Sequence, residues 1–352
     1  MTGYDHPALQ LFAELLAFPS PSSMEQRLAA HLVRKLEGWG YAPQQDGAGN
    51  VWVRLAGRDA GGPLVCYAAH TDEIGLAVHA IEADGRLRVG RSGGLFPWKL
   101  GEAPVEILGD KATITGVLSM GAGHGSGARA IEWADVRVIT GLSPAQLAEA
   151  GVRPGSLGVP LRAHCGPVLF GDPADPLVGA WTFDDRMGVV TLLRLLEGLA
   201  DSGEQPACPT IVAFTVQEEV GGIGARVLAQ RERPDVFIAI DGCPITPGAP
   251  LVTDSRPGIW TRDRVAPYDP GLIVDLCAAA AAAGTALQPV AYDVSASDAS
   301  MVFEIGGAAR AACFGQVREN SHGYEVARLA VFDNMLHTLH HFAMTWTGSA
   351  RA

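Results

Sequence analysis

Four stretches of this chain each close an apolar run on a side chain that can ligate a metal. Residues 63–69 run into His70 and Asp72, residues 210–217 into Glu218 and Glu219, residues 236–240 into Asp241, and residues 308–317 lead toward His322. A fifth stretch, Trp181-Thr182-Phe183, sets Asp184 and Asp185 just ahead of the apolar run 189–199. Short apolar runs cut off by a carboxylate or imidazole read as buried parallel strands, and ligands of open α/β sheets bind at the C-terminal ends of such strands. Two histidines and several carboxylates in one crevice describe a metal site, and the number of carboxylates suits a pair of ions. Each residue alone has a plainer reading. A single strand-end carboxylate is more often a helix cap or turn former, and a single histidine a hydrogen-bonded structural one.

Strands and helices must alternate to place these groups. Asp5 with Pro7 is expected to open a first helix that stops before Pro19. Ser22-x-x-Glu25 has capping-box spacing ahead of a second helix, in which Leu28, Leu32 and Leu36 share one face. Residues 51–55 and 64–69 read as strands. From Gly75 to about Pro167 the texture changes to short alternating pieces separated by Asp-Gly and Gly-Gly turns, which predicts a small inserted β-barrel-like domain. Alternation then resumes: a helix over 189–199, strands over 210–216 and 236–240, and a helix over 271–283 opened by Asp269-Pro270 and ended by Gly284. A strand over 308–317 and a terminal helix from about Glu325 to Phe342 follow. The expected class is α/β: a mixed-sheet α/β/α sandwich formed by residues 1–74 and 168–352, interrupted by a β domain at 75–167.

The bulk properties agree with this division. A chain of 352 residues that is 48% hydrophobic can bury a large core and exceeds the usual single domain. Its formal net charge of -12 argues against a nucleic-acid partner. Residues 74–165 carry nine Lys/Arg against eight Asp/Glu, so the acidity belongs to the part that holds the candidate ligands. No apolar stretch reaches membrane-spanning length, and the start MTGYDHPALQLF lacks the basic region and cleavage site of a signal peptide. A cytoplasmic protein with no membrane partner is expected. Cys66, Cys165, Cys208, Cys243, Cys277 and Cys313 are scattered without Cys-x-x-Cys spacing, as reduced core thiols are.

The ordered motifs resemble a known family. His70-Thr71-Asp72-Glu73-Ile74-Gly75, Phe183-Asp184-Asp185-Arg186, Val216-Gln217-Glu218-Glu219-Val220-Gly221, Ala239-Ile240-Asp241 and the late His322 look like the motif set of the tetrahedral (TET) aminopeptidases. These belong to the glutamyl and deblocking aminopeptidases, co-catalytic metallopeptidases with a zinc-peptidase α/β/α fold. Pro19-Ser20-Pro21-Ser22 and a β insertion directly after the first metal histidine also match in order.

The resemblance implies two divalent ions, one held by His70, Asp184 and Asp241 and the other by Asp184, Glu219 and His322. Asp184 would bridge, because a shared carboxylate offsets the repulsion of ions roughly 3.5–4 Å apart. Nitrogen and oxygen donors without thiolate favour Zn2+ or Co2+, with Mn2+ as a third option. Glu218 would act as general base on a bridging water, Asp72 would fix the His70 imidazole, and Asp185 would make supporting contacts near a helix N-terminus. Asp298, in Ser295-Ala296-Ser297-Asp298-Ala299 where the family commonly has Gly-Gly-Thr-Asp-Ala, would contact substrate.

The implied activity is removal of N-terminal residues from peptides with a free N-terminus. The implied assembly is a homo-oligomer built through the β insertion, up to a dodecamer-type shell. A related binuclear amidohydrolase, such as a deacylase or dipeptidase, shares the metal chemistry. A glycosidase is disfavoured because adjacent Glu218 and Glu219 cannot flank a glycosidic bond at the roughly 5–9.5 Å that chemistry needs. A non-catalytic scaffold would not need Glu218.

Three other features suggest chemistry and read more plainly. Gly121-Ala122-Gly123-His124-Gly125-Ser126-Gly127 lacks the Lys-Ser/Thr of a phosphate loop and is expected to be a flexible loop. His337, His340 and His341 have i, i+3, i+4 spacing expected of an exposed helix face, and Arg262-Asp263-Arg264 of a solvated loop.

Overall fold

The strand Val65–His70 is buried along its whole length, and its side chains divide by parity. Val65, Tyr67 and Ala69 join one apolar core, whereas Cys66 and Ala68 join another. A strand covered on both faces must do this, since successive side chains leave opposite sides of the sheet. The computed structural model, which describes residues 5–121 and 130–348, places this strand inside an eight-stranded mixed sheet. The order is Gln44–Gln45, Val51–Leu55, Thr210–Thr215, Val65–His70, Val236–Ile240, Arg310–Gly315, Gly258–Arg262, Gln288–Ala291. The four middle strands of that order, from Thr210–Thr215 to Arg310–Gly315, run parallel. Their C-terminal ends therefore lie along one edge of the sheet, with Thr215 opposite His70 and Ile240 opposite Phe314.

Helices cover both faces. Pro7–Leu16, Gln26–Gly38, Phe183–Ser202, Pro270–Ala282 and Ala330–Thr345 pack into the larger core, and Ile223–Glu232 and Asp298–Glu304 into the smaller. The β module leaves this sandwich directly after His70. Six strands, Gly75–Ile81, Leu87–Ser92, Arg137–Ile139, Thr113–Ser119, Pro104–Leu108 and Leu157–Pro160, close into a barrel. The chain returns through Val168–Phe170 and Leu177–Trp181, which pair with each other, and Leu177–Trp181 also pairs with Tyr324–Arg328 to complete a three-stranded sheet. Of the glycine-rich run 121–127, only Gly121 falls within the described residues. The six cysteines are unpaired, and among the described residues no helix is long and apolar enough to cross a membrane.

Three local expectations are corrected. The first helix is capped by His6, whose Nδ1 accepts the Ala8 N–H at 3.2 Å, rather than by Asp5. Ser22 and Glu25 do not form a capping box: Glu25 is itself the N-cap residue, and both side chains turn toward the strand ends instead. Glu325 lies in the strand Tyr324–Arg328, because pairing with Leu177–Trp181 captures this segment before the helix starts at Ala330.

The turn carrying Asp184 rests on an aromatic platform. Phe183 packs against Phe12 and Phe332 at ring separations of 5.1 and 5.4 Å, joining the first helix, the long helix and the last helix. Asp333 clips the same three elements together, with its carboxylate 3.0 Å from His6 Nε2 and 2.7 Å from Arg194 Nη1. The His6 hydrogen bond, then that of Arg194, hold its acidity at about 2 against burial, below the ordinary 3.8. A carboxylate depressed by folding adds stability above its unfolded pKa and loses it as pH falls through the folded one. Asp333 is about one-third exposed, so screening limits its contribution to about 1 kcal/mol. Asp333→Asn is expected to cost about that much at neutral pH, with the gap closing between about pH 4 and pH 2. Denaturant unfolding across a pH series measures it, and a gap constant down to pH 2 would contradict the assignment.

Candidate metal centre

Strand ends deliver most of the cluster. His70 is the last residue of its strand, Asp241 follows Ile240 directly, and Glu218 and Glu219 stand three and four residues beyond Thr215. Between them Gln217 takes a left-handed φ of 58°, which turns the chain so that the two glutamates diverge. Asp184 enters from the start of the long helix in a non-helical conformation (φ -80, ψ 103), joined to Asp185 by a cis peptide bond. His322, with φ 59°, comes from the loop between Val317–Arg318 and Tyr324–Arg328. Left-handed non-glycine residues are uncommon and gather at functional sites.

Two groups result. Ligand atoms of His70, Asp184 and Asp241 lie within 4.8 Å of one another, and so do those of Asp184, Glu219 and His322. Asp184 is common to both. Its Oδ1 is 3.2 Å from His70 Nε2 and its Oδ2 is 3.4 Å from His322 Nε2, so each oxygen faces one group. The carboxylates open onto a cleft of about 720 Å³ that Glu218 also lines. Glu218 belongs to neither group.

Both imidazoles are oriented by carbonyl groups. His70 Nδ1 lies 3.1 Å from the Asp72 carbonyl and His322 Nδ1 lies 3.0 Å from the Gly94 carbonyl, which turns both Nε2 atoms toward Asp184. Imidazoles that ligate metals are commonly fixed this way at the other nitrogen. Gly94 must be glycine on steric grounds, because a Cβ there would lie 2.6 Å from the His322 ring.

The electrostatics ask for positive charge. Burial raises Glu218 well above the usual carboxylate range, and neighbouring Asp298, Glu219 and Asp241 add to it. Burial, reinforced by Asp184, brings Glu219 and Asp241 each to about 7. Asp184 goes the other way: Arg318, His322 and His70 outweigh its burial and hold it well below its ordinary value. Glu219 Oε1 is buried without a hydrogen-bond partner. Crowded carboxylates, an orphaned carboxylate oxygen and two imidazole nitrogens aimed inward, with no thiolate, fit divalent cations.

Asp72 does more than face His70. Its carboxylate is 3.5 Å from His70 Nδ1, but it also accepts the Ser22 hydroxyl at 2.7 Å, the Glu218 N–H at 2.9 Å and the Glu219 N–H at 3.2 Å. It thus links the His70 strand end to the Glu218–Glu219 turn. The Pro-Ser-Pro-Ser segment serves the same junction. The Ser20 hydroxyl donates to the Thr71 carbonyl at 2.7 Å, and its N–H donates to Glu73 Oε1 at 2.9 Å. Glu25 accepts the Gln217 N–H at 3.2 Å. Glu73 is fully buried between Arg162, at 2.8 Å, and Arg186, at 3.4 Å.

Asp185 accepts the His70 N–H at 3.1 Å and the Gly188 N–H at 3.2 Å, bracing the strand end against the helix. Asp298 is buried and accepts the Thr215 hydroxyl at 2.6 Å, while its neighbours Ser295, Ala296 and Met301 line the cleft. Arg264 lines the cleft too. Asp263 is buried under the Tyr268 hydroxyl at 2.7 Å, so this run is not a solvated loop throughout. Sequence reasoning named Pro19-Ser20-Pro21-Ser22 only as part of the resemblance and Glu25 only as a helix-cap partner, giving none of them a place at the crevice, and it missed Gly94, Arg318 and Glu325 there.

Asp72→Asn tests the junction. An amide offers one acceptor oxygen where three donors converge, so the variant is expected to lose about 2 kcal/mol of stability. Its metal affinity should fall roughly tenfold. Ser22→Ala, which removes one donor, should cost about 1 kcal/mol. Thermal unfolding and metal titration measure both, and an unchanged Asp72→Asn protein would remove Asp72 from this role.

Comparison with known proteins follows the same lines. Residues 49–337 match the model of the M42 glutamyl aminopeptidase family. The chain is 30% identical over 283 residues to the glutamyl aminopeptidase of Lactococcus lactis subsp. cremoris, covering 76% of this chain and 75% of that one. It is 34% identical over 205 residues to the lysyl aminopeptidase of Pyrococcus furiosus, covering 56% and 55%. An aminopeptidase from the archaeon Desulfurococcus kamchatkensis superposes with a TM-score of 0.86 at 26% identity, over 97% of this chain and 95% of that one. The Pyrococcus horikoshii TET1 peptidase, which can assemble into a tetrahedron or a large octahedral shell, has the same fold, with a TM-score of 0.83 at 24% identity over 96% and 100%.

Proposed function

Because the chain belongs to the M42 glutamyl aminopeptidase family and is a metal-dependent aminopeptidase, we propose that it uses two divalent ions and Glu218 to remove the first residue of peptides. His70, Asp184 and Asp241 would hold one ion and Asp184, Glu219 and His322 the other, with Zn2+ or Co2+ as the preferred occupants and Mn2+ as a third. The observation that carries the reading is that Glu218 shares the cleft with Asp184, Glu219, Asp241 and His322 and yet is left out of both groups.

When bound, two such ions supply a water of lowered pKa and polarise the scissile carbonyl. Glu218 moves the proton: its carboxylate accepts it from the attacking water and returns it to the leaving amine. Asp72 holds the Glu218 backbone N–H, so the carboxylate that carries the proton projects from a fixed point. The α-ammonium group of a peptide is attracted by the excess negative charge of the cleft, which favours removal of N-terminal over C-terminal residues. The inserted domain over residues 75–167 would carry subunit contacts in a homo-oligomeric shell. Val117 and Ile139, register partners on adjacent barrel strands, each stand 45% exposed and support that role.

Two measurements test these readings. Glu218→Gln keeps size and hydrogen-bonding shape but cannot take a proton, so turnover of a free-amine reporter peptide should fall at least about a hundredfold with metal content retained. Glu219→Gln should lose metal as well as rate. Reversed metal results would exchange the two roles, and equal turnover of N-acetylated and free-amine substrates would favour an amidohydrolase over an aminopeptidase. For the assembly, the double change Val117→Asp and Ile139→Asp should yield smaller particles by light scattering, and an unchanged particle would move the contacts elsewhere.

A further inference from the structure

A lysine stands in a cleft otherwise crowded with carboxylates. Lys99 lines it together with Asp184, Glu218, Glu219, Asp241 and His322, and it enters no ion pair among the described residues. Its place is fixed by the chain on either side. Leu95, Pro97 and Leu100 are buried, the Lys99 N–H donates to the Phe96 carbonyl at 3.0 Å, and the Gly101 N–H donates to the Pro97 carbonyl at 3.2 Å. The half-buried side chain lies against Gly323, the residue that follows His322: a Cβ at Gly323 would be 3.1 Å from Lys99 Cδ and 3.8 Å from its Nζ. The ammonium group is thereby placed on the His322 side of the cleft.

A positive charge there acts on both ends of a peptide. It repels the α-ammonium group and draws a carboxylate, so a peptide is oriented with its amino end away from Lys99 and a carboxylate toward it. Lysine suits this role, because a compact charge on a flexible stem reaches a carboxylate without the fixed fork geometry of an arginine. Arg318 is already taken by Asp184 and Glu325. Arg264 also lines the cleft, but it is exposed, and its N–H is bonded to the Ser295 carbonyl, away from the His322 loop.

We propose that Lys99 is a specificity residue that binds a carboxylate of the peptide beyond its first residue, either the C-terminal carboxylate of a di- or tripeptide or an acidic side chain next to the cleaved bond. The inference rests on the aminopeptidase reading above and adds to it a preferred class of substrate: peptides that are short, or acidic just after the residue removed.

The test uses the full-length, metal-loaded protein and peptides that share one first residue, the one released fastest from an aminoacyl reporter panel. Two matched pairs differ by a single charge. One is a dipeptide ending in alanine against its C-terminal amide; the other is a dipeptide amide with glutamate in second place against one with glutamine. In at least one pair the charged member should have a kcat/KM about fivefold higher, the size of one accessible ion pair, with the difference carried by KM. A preference in the first pair assigns the terminal carboxylate, and one in the second pair assigns the side chain. Lys99→Met should remove the preference, Lys99→Glu should invert it, and Lys99→Arg should keep most of it. A structural role would instead lower the rates of charged and neutral members alike, and that result would overturn the proposal. So would equal members of both pairs in the wild type, or a preference lost in Arg264→Met and kept in Lys99→Met. A wild type that cleaves N-acetylated peptides and no free-amine peptide would overturn the aminopeptidase reading and the proposal with it.

Discussion

Burying like charges together is the constraint on which the rest of this structure depends. Asp72, Asp184, Asp185, Glu218, Asp241, Asp298 and Glu325 are all under 10% exposed, and they converge on one end of the sheet. Each would be better hydrated apart, and their mutual repulsion grows as water is excluded. Backbone N–H groups absorb part of the charge: those of Glu218 and Glu219 serve Asp72, that of His70 serves Asp185, and that of Asp184 serves Glu325. Buried arginines absorb more, with Arg318 at Asp184 and Glu325 and Arg186 at Glu73. The remaining negative charge is what divalent cations would neutralise.

This explains why His70 and Asp241 sit at the ends of parallel strands and Asp184 at a helix start, and why the turn carrying Glu219 and the loop carrying His322 are tied down by Asp72 and by the Gly94 carbonyl. A cluster that repels itself must be held by elements that cannot relax away from one another, and a strand buried on both faces is such an element. The aromatic platform of Phe12, Phe183 and Phe332 does the same under Asp184. Stability given up at the crevice is thus recovered in the layers beneath it, where the strand residues alternate between two apolar cores.

Much of this was legible in the sequence because the pattern is local. Val65–His70 and Val236–Ile240 are short, continuous apolar runs that end on or just before His70 and Asp241, the pattern of a buried parallel strand end. The inserted barrel announced itself through turn residues at short spacing. What was not legible depends on partners far apart in the chain. Ser22-x-x-Glu25 has helix-cap spacing, but Asp72, 50 residues from Ser22, and Gln217, 192 residues from Glu25, offered stronger partners. Glu325 lies in a segment whose local pattern suits a helix, and only pairing with Leu177–Trp181 makes it a strand. Arg318 had no local signal, since its role is defined by Asp184, 134 residues away.

The carbonyl of Gly94, which orients His322, belongs to the excursion that forms the barrel. Two residues later Phe96 stacks on Trp98 at 4.6 Å, both rings are substantially exposed, and Phe96 lines the same cleft as His322. The barrel is therefore not a cassette that could be exchanged between relatives without disturbing the crevice. The segment after Leu87–Ser92 is a shared part: its Gly94 carbonyl meets an imidazole and its Phe96 forms part of the cleft wall. Any drift in how the barrel leans on the sandwich would turn the His322 imidazole, so the packing of the barrel against the sandwich is bounded by a geometric tolerance inside the cleft.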